Sequence, residues 1–195
     1  MWRPPGTPPV DARDKHADAI RAVREVGDLY TEAWILVCAA RDLYQDAVEM
    51  SESDESAPAG NGAESGTGTG NEAFSTAYDA ANRALDSGLA SGGPYVQAEA
   101  LALLAACDLS LGKVVDALDE ARRAVAMHAA SGARLAEVTA RWILARALVR
   151  NGDPAEAKAQ RNAAQDVLDE LALPDSAPAR RLLGLSLDVA YLHLA

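Results

Sequence analysis

Alanines recur at a fixed offset along residues 77–173: Ala77, Ala117 and Ala157 stand forty residues apart. Each begins a further pattern, Ala77/Ala81/Ala84 in the first copy, Ala117/Ala121/Ala124 in the second and Ala157/Ala164 in the third, where Arg161 intrudes. A period of that length fits a pair of helices. One such pair cannot bury its apolar face alone, so neighbouring copies must stack over a shared core. The expected fold is all-α, a helical-hairpin solenoid of about forty-residue repeats, roughly three to four of them.

Composition agrees with helices. Hydrophobic residues make up 49% of the chain but aromatics only 5%, so alanine, the best intrinsic helix former, carries much of the apolar content. Runs of Val, Ile, Thr and Tyr with period-two alternation, the mark of strands, are missing. The net charge of -11, from 29 acidic and 18 basic side chains, opposes attraction to phosphate, and no direct nucleic-acid binding is expected. The apolar run Ala100 to Cys107 falls well short of the ~18 residues that a membrane span needs. The opening Met1-Trp2-Arg3-Pro4-Pro5 lacks the apolar core of a signal peptide, so a cytoplasmic location is expected. Cys38 and Cys107 lie inside apolar helical runs and read as reduced, buried side chains. With no Cys-x-x-Cys pair, and with His16, His128 and His193 far apart in sequence, neither a metal nor another cofactor is expected.

In chain order, residues 1–11 carry four prolines and few apolar anchors and are expected to be disordered, with the solenoid covering residues 12–195. Ala19, Val23 and Val26 line one face of a helix predicted from Ala12 to about Val26, which resembles the second half of a repeat. The next helix, about Leu29 to Met50, contains Trp34-Ile35-Leu36, a tripeptide that recurs as Trp142-Ile143-Leu144. Residues 51–71, SESDESAPAGNGAESGTGTGN, offer nothing apolar larger than alanine or proline and read as a disordered acidic insertion in the first hairpin. Further helices are predicted over about Glu72–Ser87, ending near Gly88, then Tyr95–Leu111, Val114–Ala130, Arg134–Arg150, Pro154–Leu171 and Ala179–Leu194. Asp153-Pro154-Ala155-Glu156 predicts a helix start with an acidic N-cap, proline at N1 and glutamate at N3.

With Gly112 and Gly152 in the turns between paired helices, Leu104-Ala105 and Leu144-Ala145 where the family prefers Leu-Gly, and small residues at Ala117/Ala124 and Ala157/Ala164, the chain resembles the tetratricopeptide repeat. The likeness covers most of residues 29–194 and implies a right-handed solenoid. It departs from the family in its forty-residue period against about thirty-four, in Ala121 and Arg161 at positions that usually carry an aromatic, and in the late prolines Pro94 and Pro174. Residues 152–184 are similar to the end of the repeat region of large bacterial transcriptional regulators. Two groups of them share it, the antibiotic-regulatory activators with a nucleotide-switch domain and the large ATP-binding LuxR-type regulators. That resemblance implies a sensor or autoinhibitory arm. This chain itself has no Gly-x-x-x-x-Gly-Lys-Ser/Thr loop and no DNA-reading helix.

No catalytic motif can be assembled from the sequence, and the chain reads as a non-enzyme. Trp142, Arg146 and Arg150, at i, i+4 and i+8, share one helix face. The tetratricopeptide resemblance implies that this face lines a concave groove, with Trp34 at the equivalent position of the first repeat. Trp and Arg are favoured interface anchors, so Trp34, Trp142, Arg146 and Arg150 are the candidate peptide-binding residues. The competing role for the same residues is structural, with Trp142 packed between repeats and the arginines paired to acids. The Lys/Asn pattern of the family's carboxylate clamp is absent, and no chaperone partner is expected. The expected function is protein–protein interaction through a peptide or helix in the groove. Two alternatives stand beside it: a small-molecule-sensing helical domain or enzyme fragment, and a truncated array without a function of its own. A pocket of convergent polar groups with shifted pKa values would favour the sensor.

Overall fold

The computed structural model describes the backbone of residues 12–55 and 66–171 and the side chains of residues 14–51 and 70–171. The N-terminal segment 1–11, the middle of the expected insertion at 56–65 and the helix predicted at Ala179–Leu194 lie outside the described residues. Within them the chain is all-α, with no strand. The elements are α1 (Ala12–Val26), α2 (Leu29–Glu55), α3 (Gly66–Ser91), α4 (Pro94–Ser110), α5 (Val114–Ser131), α6 (Arg134–Asn151) and α7 (Pro154–Glu170). Among the described residues no helix is long and apolar enough to cross a membrane.

Two boundaries differ from expectation. Residues 51–55 continue α2 and residues 66–71 begin α3, so both ends of the expected disordered insertion are helical. Once the packed part of a helix is nucleated, each further turn adds one hydrogen bond per residue fixed and requires no burial. Gly88 does not stop α3, which runs on to Ser91. The glycine serves close approach instead: a Cβ there would meet Gln97 Cγ at 3.2 Å, and the Gly88 carbonyl accepts from Gln97 Nε2 at 3.0 Å.

The turns share one device. Gly27, Gly92, Gly112, Gly132 and Gly152 all take left-handed φ between 69° and 88°. After each, the next residue's amide reaches back five positions, as in Lys113 N–H to the Asp108 carbonyl (2.8 Å) and Asp153 N–H to that of Leu148 (2.8 Å). This is the Schellman cap, and glycine fits it because a side chain is disfavoured in that conformation. The last four of these glycines stand twenty residues apart, one per helix. Pro94 and Pro154 occupy the first helical positions of α4 and α7, where a missing amide costs nothing. The acid expected to cap α7 acts differently: Asp153 makes no cap bond, because its carboxylate accepts from Asn151 Nδ2 at 2.7 Å. Asp28 does cap α2, accepting from the Thr31 amide at 3.0 Å and the Thr31 hydroxyl at 2.6 Å.

Every alanine of the repeating pattern is fully buried: Ala77, Ala81 and Ala84 on α3, Ala117, Ala121 and Ala124 on α5, Ala157 and Ala164 on α7. Small side chains there let each helix lie close to its neighbours. α2 pairs with α3, α4 with α5 and α6 with α7, and successive pairs also touch through α3–α4 and α5–α6. In addition α2 meets α4 and α4 meets α6, so these three helices stand in file, each backed by its hairpin partner. α4 is the most enclosed, with every residue from Ala100 to Leu109 buried. Its Leu101, Ala105 and Leu109 join Tyr44, Phe74, Leu118, Ile143 and Leu148 in the main core.

Candidate functional site

The row α2, α4, α6 positions a polar cluster that an alanine-rich core would not need. On α2, Trp34 and Arg41 are seven residues apart; on α4, Tyr95 and Glu99 are four apart; both spacings put the pair on one helix face. Arg41 Nη2 donates to Glu99 Oε2 at 2.5 Å, which ties α2 to α4. The Tyr95 hydroxyl also hydrogen-bonds Glu99. The Tyr95 ring stands between Trp34, at 5.7 Å, and His128 of α5, met edge-on at 5.6 Å. His128 Nε2 lies 3.7 Å from Glu99 Oε1, beyond direct hydrogen-bond distance.

His128 is 0% exposed, and neither ring nitrogen has a hydrogen-bond partner. Burial pulls its pKa down to about 4, against the opposing pull of the Glu137 carboxylate, so the ring is neutral near pH 7. Burial likewise raises the Glu99 carboxyl, against the lowering effects of Arg41 and Tyr95. Tyr95 is pushed up to about 12 by burial and by Glu99. Arg41, Glu99, Leu103, His128, Thr139 and Ile143 surround a cavity of about 20 Å³, room for roughly one water. Next to it, buried Glu137 accepts from Arg134 Nη1 at 3.0 Å and Arg141 Nη2 at 2.8 Å, and Arg141 Nη1 donates to Gln160 Oε1 at 2.8 Å. Arg134 further pairs with Glu170 across the α6–α7 hairpin.

The four residues singled out from sequence divide. Trp34 stands at the cluster, its ring tilted against that of Tyr95. Arg146 lies three residues past Ile143 and seven past Thr139, on the helix face that lines the cavity. It is half-buried and makes no hydrogen bond or ion pair among the described residues. Trp142 packs against Val138, Ala164 and Val167, inside the α6–α7 hairpin. Arg150 Nη1 donates to the Leu109 carbonyl at 2.9 Å, fastening the end of α6 to the end of α4. Arg41, Tyr95, Glu99 and His128 were not anticipated. One signal was available: Glu99 is the one acid in the first three turns of an apolar helix, and forty residues on the same repeat position holds Thr139.

A second buried polar group lies among α3, α4 and α5. Asp108, 1% exposed, stands 3.3 Å from Lys113 Nζ, but neither of its oxygens makes a hydrogen bond of normal geometry. Lys113 sits over the Tyr78 ring at 4.8 Å. Burial, then the nearby Asp108 charge, raise Glu120 to about 8. Among the described residues no three His, Cys, Asp or Glu side chains are grouped to hold a metal ion. No protein-family model matches the chain. None of the curated proteins matches it either.

Proposed function

We propose that this chain is a non-catalytic interaction module, a tetratricopeptide-like array of helical hairpins serving as the repeat arm of a bacterial transcriptional regulator or adaptor. In this reading it binds an acidic peptide along α2, α4 and α6. The observation that carries the proposal is Arg146, a half-buried guanidinium without a carboxylate partner among the described residues, on the face it shares with Thr139 and Ile143. In a chain of net charge -11 an unneutralised arginine is a suitable anchor for a carboxylate. The small-molecule sensor also draws support, because convergent polar groups with shifted pKa values do line a cavity. Its size weighs against that alternative: about 20 Å³ admits a single functional group and not a whole metabolite.

Tryptophan fluorescence gives the test. Capped peptides rich in Asp and Glu should bind at low salt and weaken as salt rises, while neutral counterparts should not bind. Arg146→Ala should weaken acidic peptides about tenfold, as loss of a charge-assisted hydrogen bond requires. Equal affinity in the variant would remove this face as the binding surface.

A further inference from the structure

Three buried oxygens, Asp108 Oδ1 and Oδ2 on α4 and Glu120 Oε2 on α5, meet no donor in normal hydrogen-bond geometry among the described residues. The two side chains nevertheless stand within hydrogen-bond reach of each other. A pair of carboxylates has only acceptors to offer, whereas a carboxylic acid can donate to a carboxylate. One proton therefore gives all three oxygens a role. Glu120 Oε2 carries it and donates to Asp108 Oδ2, while Lys113 Nζ lies 3.3 Å from Asp108 Oδ1. Charge decides which acid keeps the proton. Lys113 and the hydrogen bond from Glu120 both favour the ionised form of Asp108, against its burial. Glu120 is pushed up to about 8, first by burial and then by Asp108, with Asp116 and Asp119 adding to the effect and Arg123 opposing it.

The other groups around the pair hold their protons or are engaged elsewhere. Burial raises the Tyr78 hydroxyl on α3 and the Cys107 thiol on α4, and Arg150 of α6 donates to the neighbouring Leu109 carbonyl. Lys113 is fastened twice: its amide donates to the Asp108 carbonyl at 2.8 Å, closing the turn at Gly112, and its ammonium lies over the Tyr78 ring. The residue that caps α4 thus also neutralises the Asp108 carboxylate. We propose that Asp108, Lys113 and Glu120 form a latch across the α4–α5 turn, in which Glu120 donates its proton to Asp108 while Lys113 pairs with the same carboxylate, and that opening the turn releases this proton to water. The closed turn keeps the proton up to about pH 8, and the open turn, with Glu120 at an ordinary 4.5, gives it up. The latch is therefore at full strength below pH 4.5, weakens as pH rises and reaches its limit at about pH 8.

The test uses the full chain, ¹³C-labelled at the Asp and Glu side-chain carboxyls, with the two signals assigned by their loss in Asp108→Asn and Glu120→Gln. Both carbons should move together in a single step centred near pH 8, as a proton held between two groups requires. A Glu120 signal that titrates there while Asp108 stays still, or a Glu120 already ionised at pH 7, overturns the shared proton. Hydrogen exchange then asks whether the proton holds the turn. The Lys113 amide, corrected for its chemical exchange rate, should open about tenfold more readily for each pH unit between about pH 5 and 8 and level off above. Glu120→Gln keeps a donor for Asp108 and has no proton to lose, so its Lys113 amide should show no such rise. An equal rise in the variant overturns the latch. If that variant does not fold, the profile of the unaltered chain decides, and a flat one from pH 5 to 8 overturns the proposal.

Discussion

His128 and Glu120 give the fold opposite responses to pH. His128 has a folded pKa of about 4 against an ordinary 6.5, so the unfolded chain takes up the proton first as pH falls. Its contribution is complete above 6.5 and is lost progressively as pH drops toward 4. Around it stand Glu99 and Glu137, with Arg41, Arg134 and Arg141 engaging those carboxylates, so a proton on His128 would disturb ion pairs on α2, α4 and α6. Glu120 runs the other way, with a folded pKa of about 8 against 4.5. Its contribution is complete below 4.5 and declines as pH rises toward 8. Glu120→Gln removes the ionisable group and keeps the shape, so the loss of thermal stability between pH 4.5 and 8 should become shallower than in the unaltered chain. Parallel curves of midpoint against pH would show that Glu120 is not the group titrating there.

The helices lie close on alanine and are closed by glycine, and each device predicts a cost. Ala117 is 0% exposed, so Ala117→Leu must force α5 away from its neighbours, at about 1–3 kcal/mol. Denaturant titration should show a lower midpoint, whereas Leu at exposed Ala130 should leave it nearly unchanged. Gly152 at φ 88° should lose about 1 kcal/mol on change to Ala, since a Cβ there is strained even though nothing crowds it. Much at this scale was legible. Apolar periodicity and glycine-bearing turns gave helices close to α1, α4, α5, α6 and α7, and the forty-residue alanines marked buried contacts. Less legible were features that depend on what a side chain meets. Asp153 has the sequence of a cap, yet Asn151 lies nearer to its carboxylate. Asp28 caps α2 through Thr31, three residues on, without the glutamate that would have marked a capping box. Gly88 stops a helix only in sequence; in space it admits Gln97. The twenty-residue glycine spacing was readable and is half the alanine period.

Across the whole molecule, α4 touches α2, α3, α5 and α6, while α1 packs mainly on α2 and leaves most of its residues exposed. Hydrogen exchange should therefore be slowest in α4 and fastest in α1, and equal protection in the two would contradict this packing. The same arrangement explains why the site was only half visible beforehand. Spacing along one helix could put Arg146 on a face, but the Arg41–Glu99 pair joins positions fifty-eight residues apart, and His128 reaches the cavity from a third helix. No local pattern encodes such a meeting. The bond from Arg150 to the Leu109 carbonyl carries the point into time. Its partners are separated by forty-one residues, so on a growing chain the end of α4 is made well before the side chain that fastens it. At about 5–20 residues per second that interval is roughly 2–8 seconds, during which the α4–α5 hairpin can form but its outer end waits. Synthesis from the N-terminus thus gives the molecule an order of assembly, the α4–α5 hairpin being fastened by an arginine from the hairpin that follows it.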